Sequence, residues 1–228
     1  MASKRSILKM ICWGCGSKPL RRVNQLSEHR QTAAQVWFSS DHHFGHKNII
    51  SYCSRPFDSL DKMNAELVDR WNEVVKPGDD VYYLGDFALD FKYVETYLPR
   101  LNGTIYWIPG NHDESHPMHH GHRHYQDRLA AHGVIWCGPE HELFLDGMDL
   151  LLCHFPYGME DHTPKARYLE WRPVDQGTTL LCGHVHSNWK TSDNMINVGV
   201  DQWDYKPVSL SQIAELVEIN NSEFSRAI

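Results

Sequence analysis

No stretch of this 228-residue chain approaches the roughly 18 to 20 consecutive apolar residues that a membrane helix needs. The short apolar stretch within residues 1–10 is broken by Lys9, which argues against a secretory signal as well as a span. A cysteine framework is lacking: the six cysteines are scattered, and no second close pair joins Cys12 and Cys15, whose spacing is half of a structural zinc site that needs four ligands. Cys153 and Cys182 sit inside apolar runs, where a free thiol behaves as a small hydrophobe, and a reducing, cytoplasmic setting fits this usage. Positive charge is scarce over most of the chain. Residues 1–35 hold seven Lys/Arg against one acid, the remainder fifteen against twenty-eight, and the formal net charge is -7. Such an acidic body lacks the basic face by which proteins grip nucleic acid without regard to sequence. Nothing in the chain calls for a membrane or an obligate protein partner.

Residues 1–35 show no sustained period and mix Gly, Ser, Pro and basic residues, which reads as a basic, flexible N-terminal arm ahead of one domain over 36–228. Within that domain short apolar strands are expected at 36–39, 81–84, 104–108, 134–136, 142–145, 148–153, 179–182 and 195–198. Leu60, Met63, Leu67, Trp71 and Val74 recur at helical spacing until Pro77 and Gly78 stop the helix. Asp146-Gly147 reads as a hairpin turn. Strands and helices alternate early, whereas late strands follow one another hairpin-wise. The expected fold class is therefore α/β (α+β), with two mixed β-sheets packed face to face and helices flanking them.

What the chain does have is histidine, 16 residues of it, and their placement is informative. Asp41 and His43 follow the first predicted strand, Asp86 the second, Asn111 the third, His154 the hairpin, and His184 and His186 the strand after it. Glycines precede three of these positions, Gly85, Gly110 and Gly183, where strand turns into loop. One histidine behind a strand is ordinarily a loop residue; five loops that all carry ligand-type side chains are not explained that way. Two carboxylates, four imidazoles and one amide oxygen suit divalent first-row metals and do not suit calcium. Seven ligands with a shared carboxylate accommodate two metals better than one.

Taken together, Asp41-His42-His43, Gly85-Asp86, Gly110-Asn111-His112-Asp113, the isolated His154 and Gly183-His184-Val185-His186 resemble the calcineurin-like metallophosphoesterase superfamily in content, order and approximate spacing, over roughly residues 36–215. The resemblance implies a four-layer sandwich of two sheets and flanking helices. It implies that Asp41, His43 and His186 hold a first metal, Asn111, His154 and His184 a second, and that Asp86 bridges both. His112 matches the catalytic histidine, and Asp113 is expected to steady it. Protein phosphatases of the superfamily continue as Gly-Asp-x-Val-Asp-Arg-Gly; here Gly85-Asp86 continues as Phe87-Ala88-Leu89, so the chain instead resembles small stand-alone phosphoesterases of bacteria and their viruses.

The activity implied is hydrolysis of a phosphate diester, of a nucleotide or nucleic acid, by metal-activated hydroxide, with His112 as general acid. A phosphomonoesterase acting on a small molecule is the alternative enzyme, and a non-catalytic metal-stabilised binding module the alternative outside catalysis. Manganese is the expected metal, with iron, zinc or nickel compatible with the same donors. Arg55 and His46 are candidate substrate contacts, Arg55 because guanidinium forks onto phosphate oxygens. The histidines His116, His119, His120, His122 and His124 read as a solvated loop.

Overall fold

The structure, a computed structural model, describes residues 34–158 and 167–226. The expected basic arm lies outside the described residues but for its last two positions, and so does the Cys12/Cys15 pair. Elements are numbered in chain order. Among the described residues no helix is long and apolar enough to cross a membrane.

Two five-stranded mixed sheets form the frame. In the first, β1 (Val36–Ser39), β2 (Asp80–Tyr83), β3 (Thr104–Trp107) and β4 (Ile135–Trp136) run parallel, with β10 (Val208–Ser209) antiparallel to β1. In the second the order is β5 (Glu140–Leu145), β6 (Met148–Cys153), β7 (Thr179–Cys182), β9 (Met195–Asn197), β8 (Thr191–Ser192). There β6, β7 and β9 are parallel, and the two edge strands are antiparallel to their neighbours. Leu145 pairs with Met148 across Asp146 and Gly147, whose φ angles of 48° and 81° are the two positive values that a tight primed turn requires. The two-residue strands β8 and β10 carry too short a pattern to be read from sequence.

Period-two alternation sorts the first sheet's side chains into two cores. Val81, Tyr83, Ile105 and Trp107 point outward and pack with helix α2 (Leu60–Val74), helix α3 (Phe91–Tyr97) and Leu129 of helix α4 (His122–Ala131). Phe38, Leu84 and Ile108 face the second sheet and meet Leu150, Leu152, Leu181, Ile196 and Val198. Helix α5 (Leu210–Arg226) closes this inter-sheet core with Ile213. On the outer face of the second sheet, Cys153, Leu180, Cys182 and Met195 lie under Phe155, Tyr157 and Trp171, which come from loops. Burial pushes the thiol of Cys153 up to about 12 and that of Cys182 well above its ordinary range, consistent with inert core cysteines.

Helix α2 begins where the Ser59 hydroxyl accepts the Lys62 amide at 3.2 Å, and it ends before Val75, which is already extended. Met63, Leu67 and Trp71 stand one turn apart on its inner face and are completely buried. Each such side chain contributes about 1.5–3 kcal/mol. The His-rich segment expected to be a solvated loop is partly helical: His122 opens α4, while His116 is buried with its ring edge on Trp171 at 4.6 Å. Proline and glycine around that segment masked its helical half.

One carboxylate anchors the entry to β1. Asp79 accepts from the Gln35 amide at 3.0 Å, the Trp37 indole at 3.0 Å and the Lys76 amide at 2.8 Å. Burial alone would raise its pKa, but these donors prevail and hold it below the ordinary value. A depressed folded-state pKa stabilises fully above the unfolded value, and that contribution is lost as pH falls through the folded one. Asp79→Ala is therefore expected to cost on the order of 1–3 kcal/mol at neutral pH. In urea melts the gap between wild type and variant should narrow below about pH 4; a gap that does not change with pH would contradict the assignment.

Candidate metal centre

The parallel registers bring strand ends together. Ser39 is paired with Tyr83 and Tyr83 with Trp107, so the chain leaves all three strands of the first sheet at one edge. Leu152 is level with Leu181, and Cys182 with Asn197, at the corresponding edge of the second sheet. Just beyond these ends the backbone bends sharply. Asp41, His43, Asp86, His184 and His186 have φ of 60°, 54°, 56°, 69° and 50°, in the left-handed region that side chains other than glycine's enter at a cost. Inter-loop hydrogen bonds hold them there: Asp41 N to Gly85 O at 2.9 Å, His43 N to Asp86 O at 3.1 Å, and Gly183 N to His154 O at 3.0 Å. Gly110 and Gly183 are needed for close approach: a Cβ on Gly110 would fall on the Asp86 carboxylate, and one on Gly183 on the Asp41 carboxylate.

Asp86 lies at the middle of the cluster. Its Oδ2 is 3.6 Å from His43 Nε2, 3.5 Å from His154 Nε2 and 4.0 Å from His112 Nε2, while its Oδ1 accepts the His112 amide at 2.8 Å. Asp41 Oδ1 is 3.9 Å from His43 Nε2 and 3.8 Å from His186 Nε2; its Oδ2 accepts from Ser40 Oγ at 2.6 Å and from the His184 amide at 3.1 Å. Donor atoms of Asp41, His43 and His186 lie within 4.8 Å of one another, and so do those of Asp41, Asp86 and His154. The His154 ring is turned by its Nδ1, 2.7 Å from the Leu84 carbonyl, so that Nε2 faces the cluster.

Charge and burial act against each other here. Burial pushes Asp41 up, outweighing the imidazoles of His186 and His154. Burial also opposes ionisation of Asp86, but His154, His112 and His43 prevail and hold it well below the ordinary carboxylate range. Burial would lower His154; Asp86 and Asp41 override it and raise His154 to about 9. His186 is likewise raised, against burial, by Asp41 and Asp201. In His43 burial wins, and the ring is pushed well below its usual value.

The fit to a cation can be tested on atoms that are otherwise unexplained. Both ring nitrogens of His43, Nε2 of His154 and Oδ1 of Asn111 are buried without a hydrogen-bond partner. A buried polar atom left unpaired costs about 1–3 kcal/mol. Each of these side chains offers one lone-pair donor of the kind a divalent transition metal takes, so the residues fit one.

The other expected site residues fall as follows. Asn111 is buried and contributes one of those unpaired oxygens. The His184 ring stands 5.3 Å from that of His154. His112 is the accessible imidazole, its side chain 43 % exposed beside Asp86. Asp113, expected to steady His112, makes its hydrogen bonds to backbone amides. Its Oδ2 accepts the amides of Asp86 and Gly110 at 2.9 and 2.8 Å, its Oδ1 that of Phe87 at 3.0 Å, and it ties the Asp86 and Asn111 loops together. Burial and the neighbouring Asp86 push Asp113 up to about 7. His46 sits at the rim with its ring 5.5 Å from that of His43 and 6.0 Å from that of Tyr52, on the short helix α1 (Ile49–Tyr52).

Arg55, expected as a candidate substrate contact, lies behind the centre. It is buried, and its guanidinium is committed to the carboxylate of Asp201 and to main-chain carbonyls of the Asp41 loop. Sequence reasoning missed Asp201 and also His42, a completely buried ring stacked on Phe44, 3.1 Å from the Tyr83 hydroxyl and with its pKa pushed down to about 3 by burial and by Arg55. The aspartate in Asn197-Val198-Gly199-Val200-Asp201 was the available signal, but nothing local paired it with a partner.

Fold and site together define a two-sheet α/β protein with a candidate metal centre where the strand ends of both sheets meet. No protein-family model matches the chain. It is 31 % identical over 194 residues to the uncharacterized protein MJ1445 of Methanocaldococcus jannaschii, covering 81 % of this chain and 92 % of that protein. It is 32 % identical over 204 residues to the gene 66 protein of Mycobacterium phage L5, covering 81 % and 94 %. The chain belongs to the family of these archaeal and phage proteins. A crystal structure of AQ665 from Aquifex aeolicus, a protein of unknown function, matches with a TM-score of 0.63 and 27 % identity over 80 % of this chain and 99 % of that one.

A cation held by His154 and His186 would have to displace protons from them. Because His154 is raised to about 9 and His186 is raised as well, binding of a divalent cation is expected to release protons and to tighten with rising pH between about pH 6 and 9. Calorimetric titration in buffers of different ionisation enthalpy measures both; affinity that does not vary with pH would contradict the electrostatics described.

Proposed function

We propose that the chain is a member of the calcineurin-like metallophosphoesterase superfamily and hydrolyses a phosphate diester at a dinuclear centre. The observation that carries this reading is the position of Asp86, a buried carboxylate with the imidazoles of His43 and His154 at 3.6 and 3.5 Å from one oxygen. A carboxylate so placed is within reach of both proposed cation positions. Asp41, His43 and His186 would hold one cation, and Asn111, His154 and His184 the other. Manganese is the favoured occupant, with iron, zinc and nickel suited to the same donors. Divalent cations bound there would neutralise phosphate charge as Lewis acids and lower the pKa of a bound water.

The chain's own contribution is positioning and proton transfer. His112 is the general acid of this reading: its imidazole is accessible, beside Asp86, and held by a backbone amide bonded to that same carboxylate. It would deliver its proton to the departing alkoxide oxygen, a role that normally contributes about 100-fold to 10,000-fold. Asp113 acts through the backbone, keeping the Asp86 and Asn111 loops at fixed separation. Phosphate would be gripped by the cations rather than by arginine, since Arg55 is occupied elsewhere. Tyr52, 72 % exposed beside His46, offers a ring to a substrate carrying a base, which favours a nucleotide or nucleic-acid diester.

The test is hydrolysis of a paired aryl phosphodiester and aryl phosphomonoester by metal-stripped protein with manganese restored. Diester cleavage is expected in the wild type, absent in Asp86→Ala together with metal binding. In His112→Ala it should be about 100-fold slower or more with metal binding kept. Preference for the monoester would replace the diester assignment by a phosphatase, and failure to cleave either ester would favour a non-catalytic metal-binding module.

A further inference from the structure

Arg55 and Asp201 lie in contact with the centre but hold none of the positions assigned to a metal. Arg55 Nε and Nη2 donate to Asp201 Oδ1 and Oδ2, both at 2.8 Å, in a fork-to-fork pair. The same Nη2 donates to the Asp41 carbonyl at 2.7 Å and Nη1 to the His42 carbonyl at 2.9 Å. Those carbonyls flank the bent peptides that carry Asp41 and His43. On its other side the Asp201 carboxylate meets His186 Nδ1 at 3.2 Å, leaving Nε2 directed at Asp41. One buried ion pair thus touches the loop after β1 and the loop after β7, the two segments that supply Asp41, His43 and His186.

We infer that Arg55 and Asp201 are positioning residues that assemble the Asp41, His43 and His186 group in advance of the cation, Asp201 by selecting the His186 tautomer with hydrogen on Nδ1 and Arg55 by fixing the backbone between Asp41 and His43. The inference rests on the metal-centre reading above and adds to it the source of the centre's preorganisation. A neutral imidazole has one lone pair, and whichever nitrogen donates a hydrogen bond leaves the other to coordinate. A carboxylate on Nδ1 therefore presents Nε2 to the metal and makes it a stronger ligand. Cys53, His186 and Asp201 also bring donor atoms within 4.8 Å of one another. Both Asp201 oxygens accept from the guanidinium, and one of them also meets His186 Nδ1.

The experiment uses the full chain, stripped of metal and titrated with manganese alone, the free ion followed by its paramagnetic resonance. In Asp201→Asn, which keeps the side-chain volume, at least one equivalent is expected to bind about 10-fold to 100-fold more weakly than in the unaltered protein. Arg55→Lys, which keeps the charge and loses the fork, is expected to weaken the same equivalent. Affinity equal to the unaltered chain in both variants overturns the inference while leaving the metal centre standing; no manganese uptake by the unaltered chain overturns both. Should either variant lose its fold by circular dichroism, nitrogen NMR of the unaltered protein decides. Hydrogen on Nδ1 of His186 in the state loaded with zinc, which is diamagnetic, is expected, and hydrogen on Nε2 overturns the inference.

Discussion

Five of the side chains that converge on the centre hang from backbone that L-amino acids adopt reluctantly. Asp41, His43, Asp86, His184 and His186 each sit in the left-handed region, at about 1–3 kcal/mol apiece. The bends turn chains that have just left a strand into the cleft. At the first loop they send Asp41 and His43 to the centre, while His42, between them, goes into the aromatic core with Phe44 and Tyr83. Conformations of this cost persist only where the surroundings over-determine them. Here the surroundings are the parallel ladders, amide-to-carbonyl bonds between neighbouring loops, the Asp113 clamp and the guanidinium of Arg55. The rest of the domain can be understood as the apparatus that keeps those five residues bent.

Electrostatics belong to the same economy. Carboxylates and imidazoles confined to one buried space answer one another, and the directions of their shifts show which group each depends on. Asp86 draws its low pKa from three imidazoles, and His154 draws its raised one from Asp86 and Asp41. A cluster of this composition is suited to exchanging protons for a cation with little net change in buried charge.

The strands and the donors were legible from the chain because both announce themselves locally. An apolar run of four to six residues followed by Asp, Asn or His is visible in any window, and Gly110 and Gly183 mark where two loops must touch. What could not be read depends on long-range pairing. Arg55 looked available to a phosphate because its partner, Asp201, lies 146 positions away. Asp113 looked like a companion for its neighbour His112, yet its oxygens are taken by amides including those of Asp86 and Phe87, more than twenty positions earlier. The two-residue strands β8 and β10 have no period to detect, and the polar opening of α4 hid a helix among histidines.

The two sheets are clad differently, and this bears on how such a protein diversifies. Asp41, Asp86 and Asn111 issue from a sheet backed by α2, α3 and α4, whose packing is shared across the whole outer core. His154 and His184 issue from a sheet whose outer face is covered by Phe155, Tyr157 and Trp171 on connecting segments. Among the described residues of the connection from β6 to β7, Phe155, Tyr157 and Trp171 take part in no strand pairing. Change in that cover alters residues that belong to no strand of either sheet, whereas the segments bearing Asp41, Asp86, His154 and His184 start from strand ends fixed by the ladders.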